Sequence, residues 1–73
     1  MANSPWELKA KQLLKAELKR KNVTYAQLSE KLAVLGVREN EANIRNKLAR
    51  GKFSAVFLLQ CFKAIGTRII AID

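Results

Sequence analysis

Asn43-Ile44-Arg45-Asn46-Lys47-Leu48-Ala49-Arg50-Gly51-Lys52 decides how this chain is read: ten residues with four cations, two primary amides, no carboxylate, and a glycine one step from the end. Wound as a helix, the stretch turns Ile44 and Leu48, four positions apart, toward a core. The opposite side then carries Asn43, Asn46 and Arg50, with Arg45 and Lys47 on its flanks. Amides and a guanidinium in that array suit base edges, and the flanking cations suit phosphates. A helix that is merely soluble interleaves Glu with Lys four residues apart, whereas this one leaves Arg45, Lys47 and Arg50 unpaired within itself. The plain alternative is an ordinary solvated face. Nothing acidic follows the stretch until Asp73, so the second half of the chain is a positive surface whose natural partner is a duplex.

Outward from this segment, Asn40 is the cap, because its side-chain oxygen can accept from the free N–H groups near Ala42 and Asn43, and Glu39 and Glu41 suit the positive helix end. Helix 3 therefore spans 40–50, stopped by Gly51. Phe53 anchors the loop, and Ser54 caps helix 4, residues 54–65, which Gly66 closes. Leu58, Cys61, Phe62 and Ile65 form the inner stripe of helix 4. Val56, Phe57 and Leu59 fall outside it, more apolar surface than one small core covers. Cys61 reads as a core thiol.

Upstream, Ser4-Pro5-Trp6-Glu7 is a capping box with proline in the first turn, opening helix 1 over 4–21. Trp6, Ala10, Leu13, Leu14 and Leu18 face inward, Trp6 as a lid on the core. Lys9, Lys11, Lys15, Lys19 and Arg20 occupy the remaining face, where solvated lysines and phosphate contacts are about equally expected. Asn22 breaks the helix. Thr24-Tyr25-Ala26-Gln27 repeats the box and starts helix 2, residues 24–35, whose Leu28, Leu32 and Leu35 point inward before Gly36 ends it.

The tail Thr67-Arg68-Ile69-Ile70-Ala71-Ile72 is β-branched and reads as a strand over 67–72, with no second strand in the chain to pair with it. Two arrangements satisfy it. Tails of a homodimer can pair antiparallel across a two-fold axis and cover the surplus of helix 4, or the isoleucines can pack over the protomer's own helices.

The 73 residues make one domain, burying roughly 60% of the unfolded surface. An apolar share of 49% and a net charge of +8, with pI about 10.2, call for a polyanionic partner, nucleic acid ahead of a membrane surface. A membrane-lying helix 1 would take its leucines from the core. No run approaches the ~20 apolar residues of a membrane span, and the N-terminus lacks the pattern of a signal peptide. The expected location is the cytoplasm, with the nucleoid. With no His and one Cys, neither a zinc site nor a Cys-His nucleophile can be assembled, so the chain reads as a non-enzyme without cofactor, metal or small-molecule substrate.

Helix, Thr24-x-x-Gln27-Leu28 helix, Gly36-Val37 turn, polar helix 3 ending in Arg50-Gly51-Lys52, then an apolar helix 4: in this order the chain resembles the lambda-repressor-like (XRE-type) helix-turn-helix. More closely, it is similar to a family of small bacterial domains of unknown function carrying Asn43-Ile44-Arg45-Asn46-Lys47, then Arg50-Gly51-Lys52-Phe53-Ser54 and Leu59-Gln60-Cys61. The resemblance covers nearly the whole chain and implies a compact helical DNA-binding fold. Two departures bear on docking. Gly36 lies eight positions after Leu28, later than in the common pattern, which lengthens helix 2 by about one turn and lengthens the turn to helix 3. Tyr25 also stands where the usual glutamine binds phosphate, leaving a hydroxyl for that contact.

The expectation is thus an all-α, compact four-helix lambda-repressor-like domain over 1–73, with a C-terminal strand available for pairing across a homodimer. Its function would be sequence-selective binding of double-stranded DNA, as a small transcriptional regulator with helix 3 in the major groove. Asn43 and Asn46 would contact adenine, and Arg50 guanine or a phosphate. Arg45, Lys47, Lys52 and Tyr25 would hold the backbone. The competing expectation is a protein-interaction module, antitoxin-like or a regulator subunit, working through helix 4 and the tail. RNA binding is third, because Phe53, Phe57 and Phe62 belong to the core and leave no exposed stacking platform.

Overall fold

The computed structural model describes residues 4–72. Four helices follow in order: α1 Pro5–Arg20, α2 Tyr25–Val34, α3 Glu41–Arg50 and α4 Ala55–Ile65. Each begins where a short polar side chain satisfies a free backbone donor. The Glu7 N–H donates to Ser4 Oγ at 3.1 Å while the Ser4 N–H donates to Glu7 Oε1 at 2.9 Å. Thr24 and Gln27 repeat the reciprocal pair at 3.1 and 2.9 Å. Asn40 Oδ1 accepts from the Asn43 N–H at 2.8 Å, and Ser54 Oγ from the Phe57 N–H at 3.0 Å.

The stops are conformational. Asn22 takes a φ of 57° after α1, a left-handed geometry that asparagine tolerates better than most residues. Gly36, at φ +80°, reverses the chain after α2 and lets the Val37 N–H donate to the Leu32 carbonyl at 3.0 Å, the pattern that closes a helix end.

The core comprises Leu14, Leu18, Leu28, Leu32, Ile44, Leu48, Phe57, Cys61, Phe62 and Ile65. α2 packs against both α3 and α4, and α4 also packs against α1. Because α4 meets two neighbours, its buried arc is wider than a single stripe. Phe57, expected outside that stripe, is buried at 3% exposure, while Leu58, expected inside it, is only half-buried at the margin. Val56 and Leu59 do face outward. Trp6 is not a lid on the core: it is 77% exposed, and the buried residues of α1 are Leu14 and Leu18, two turns or more further along. Leu35 likewise sits past the last turn of α2 and is 42% exposed.

The expected strand is not formed. Among the described residues there is no strand, 67–72 is irregular, and no second extended segment supplies ladder hydrogen bonds. The tail is nevertheless tied at its start. Thr67 Oγ1 donates to Glu17 Oε1 at 2.8 Å, and its N–H donates to the Phe62 carbonyl at 2.9 Å. Ile69 and Ile72 beyond it are exposed, so they do not pack over the protomer's own helices.

Candidate nucleic-acid interface

Burial of Ile44 and Leu48 fixes the rotation of α3. At about 100° per residue the opposite side then presents Asn43, Asn46 and Arg50, all exposed. Ala42 and Ala49 are exposed among them. Two methyl groups beside the amides keep this face thin, so the helix backbone can approach a flat or grooved partner closely. Glu41 supplies the one negative charge of the first turn, and Lys47 and Arg50 stand in the last, the order that complements the helix dipole.

The flanking cations differ from expectation. Arg45 Nη2 donates to Glu41 Oε2 at 2.6 Å, an i, i+4 pair with both side chains about half exposed. Lys47 is bound to the Glu39 carboxylate and lies 4.5 Å over the Phe57 ring. Neither is unpaired, because Glu39 and Glu41 precede the cation-rich stretch and reach back into it. Among the described residues, Arg50 and Lys52 are the cations of the 43–52 stretch that enter no ion pair.

Lys47 is part of a tie between three elements. Its partner Glu39 belongs to the loop from Leu35 to Asn40, and the Glu39 carbonyl accepts from Ser29 Oγ of α2 at 2.6 Å. Phe57 of α4 meets Phe53 edge to face, centroids 5.5 Å apart at 61°. Loop, α3 and α4 are thereby held in one relative position. Lys47 is thus largely enclosed, at 29% side-chain exposure, beside the exposed face of α3.

Five of the seven sequence-identified residues, Asn43, Arg45, Asn46, Lys47 and Arg50, share α3; Lys52 follows Gly51 and is exposed. Tyr25 is the first residue of α2, half-buried with its ring packed against the core. Two further residues join the region. Arg38 and Asn43 line a shallow groove with Ser29, Ala33 and Asn40 beside the first turn of α3. Lys11 Nζ of α1 donates to the Ala49 carbonyl at 3.4 Å across 38 positions, a separation no local pattern reveals.

Elsewhere, Cys61 is fully buried, and burial, with Glu39 nearby adding to it, pushes its thiol up to about 12. It is a neutral core side chain without thiolate chemistry. Among the described residues no group of His, Cys, Asp and Glu could hold a metal ion, and no helix is long and apolar enough to cross a membrane.

A family model described as "Domain of unknown function (DUF6471)" matches residues 6–70. No curated protein and no solved structure matches the chain.

Proposed function

We propose, for a chain that belongs to the DUF6471 family, that it binds double-stranded DNA sequence-selectively as a homodimer and regulates transcription by occupying its site. The observation that carries this reading is the outer face of α3. It combines two amides, a guanidinium and two alanines, all exposed, in a chain of net charge +8 whose sequence holds no carboxylate between Glu41 and Asp73. In this reading α2, the loop held by Ser29 and Glu39, and α3 form a lambda-repressor-like helix-turn-helix, and α3 lies in the major groove. Asn43 and Asn46 read adenine edges, while Arg50 reads guanine or a phosphate. Lys52 and the Tyr25 hydroxyl hold the backbone. Arg45 exchanges Glu41 for a phosphate, at little cost because an exposed pair is worth only about 0.3–0.5 kcal/mol. Lys47 supports the face through Glu39 and Phe57. A cytoplasmic location at the nucleoid goes with this function.

Dimerisation is supported by the outward Val56 and Leu59 of α4 and by Ile69, Ile70 and Ile72, all exposed. A two-fold pair would let the tails form the ladder that one chain lacks, and would read a near-palindrome with half-sites about 34 Å apart. The same apolar surface favours a second reading, a protein-interaction module that engages another protein through α4 and the tail.

Fluorescence-anisotropy titration against a random duplex across a salt series separates the two. Wild type should show a steep log-log slope, about 0.9 per neutralised phosphate, reduced in an Arg45→Ala/Arg50→Ala variant. No binding at low salt would exclude the DNA reading and leave the protein partner. For base readout, Asn46→Ala should lose about 1–3 kcal/mol of discrimination at one position of a selected site; unchanged sequence preference would remove Asn46 from that role.

A further inference from the structure

The Lys11 ammonium of α1 reaches the Ala49 carbonyl in the last turn of α3 at 3.4 Å, so it bears on where a duplex seated on α3 would continue. Lys15 and Lys19 follow Lys11 at four-residue intervals on that flank, and both are exposed. At 1.5 Å per residue the three stem positions step along about 12 Å of helix. None of them is in an ion pair among the described residues. The two carboxylates of α1 are engaged elsewhere: Glu7 closes the capping box, and Glu17 holds Arg20 and Thr67.

Like charges four residues apart on a helix repel, and a helix selected for stability alone intersperses Glu among them. Here the row is uninterrupted, and Lys11 reaches the Ala49 carbonyl, next in sequence to Arg50, Gly51 and Lys52. We infer that Lys15 and Lys19 form a second line of phosphate contacts, on the backbone flanking the groove that α3 enters. This deepens the DNA-binding reading and rests on it. Contacts of this kind carry no sequence information; they set register and orientation on the duplex.

The test compares wild type, Lys15→Ala/Lys19→Ala and Arg45→Ala/Arg50→Ala in the same salt series on random duplex. Alanine is the best helix former and both lysines are exposed, so the fold should persist, with circular dichroism as the check. The expected result is a log-log slope reduced by about 2 in the lysine variant, near 0.9 for each lost contact. Its ranking of selected against random sites should stay as in wild type. A slope unchanged by the lysine variant but reduced by the arginine variant would overturn this inference alone. Absence of salt-dependent binding by wild type would overturn the DNA reading, and this inference with it.

Discussion

Lys47 and Arg50 stand three residues apart on α3, yet their surroundings give them different work. Arg50 is exposed and enters no ion pair among the described residues, while Lys47 is held by the Glu39 carboxylate and the Phe57 ring. Removing Lys47 leaves Glu39, itself only 16% exposed at its side chain, without its partner. Lys47→Ala should therefore cost about 1–2 kcal/mol, against about 0.5 kcal/mol or less for Arg45→Ala, whose pair is open to water. Urea unfolding at constant m-value measures both, and equal midpoints would deny the tie its importance. Glu17 makes a separate prediction. Arg20, donating through Nε and Nη2 at 2.9 Å, and then Thr67 hold its carboxyl at about 2. A carboxyl bound more weakly by protons when folded than when unfolded stabilises the fold above the ordinary carboxylate range, and that stabilisation fades as pH falls toward about 2. Glu17→Gln should be less stable than wild type at neutral pH, with the two curves converging between about pH 4.5 and 2; parallel curves in an acid titration would contradict this. At this scale Asn43, Asn46 and Arg50 were legible as exposed, because their spacing from Ile44 and Leu48 sets the helix rotation. The partners of Lys47 were not, because Phe57 is ten positions away and a cation–π contact leaves no local pattern.

The helices were legible nearly to the residue because their ends are written in short-range chemistry. Ser4, Thr24, Asn40 and Ser54 each accept a hydrogen bond from the residue three positions on, an interaction contained in four consecutive residues. Asn40→Ala removes that acceptor from α3 and should cost about 1 kcal/mol, whereas Asn40→Asp, which keeps the acceptor and complements the helix dipole, should unfold close to wild type. Thermal melts of the pair test it: equal losses would mean that the cap does not hold α3. Gly36→Ala probes the other end of the preceding loop. A Cβ there meets nothing within 4 Å, yet φ is +80°, so about 1 kcal/mol of backbone strain is expected with no steric clash. What local chemistry could not supply was the buried arc of α4. The helical repeat gives the order of faces around its axis, but Phe57 lies under Lys47 of α3 and against Phe53 of the preceding loop, contacts that the repeat of α4 does not contain.

For the molecule as a whole, the unsettled surface is the outer side of α4, where Val56 and Leu59 are 62% and 64% exposed, with Ile69 and Ile72 in the tail. If a second copy covers this surface, sedimentation of wild type will depend on concentration. Leu59→Glu, which leaves the core untouched, should then sediment as a monomer with unchanged helicity and bind duplex more weakly. An assembly state indifferent to that substitution would exclude α4 from the interface. Local sequence was enough to define the four helices, their caps, the glycine stops and most of the core, because each rests on side chain to backbone bonds within a few residues or on the 3.6-residue repeat. It also determined the charge of the second half. Tertiary structure alone decided that Trp6 lies outside the core, that Lys47 is a strut, that Lys11 reaches the end of α3, and that the tail stays irregular in a single chain. Each of these depends on which distant segment comes to lie alongside, and a strand in particular exists only when another backbone supplies its hydrogen bonds.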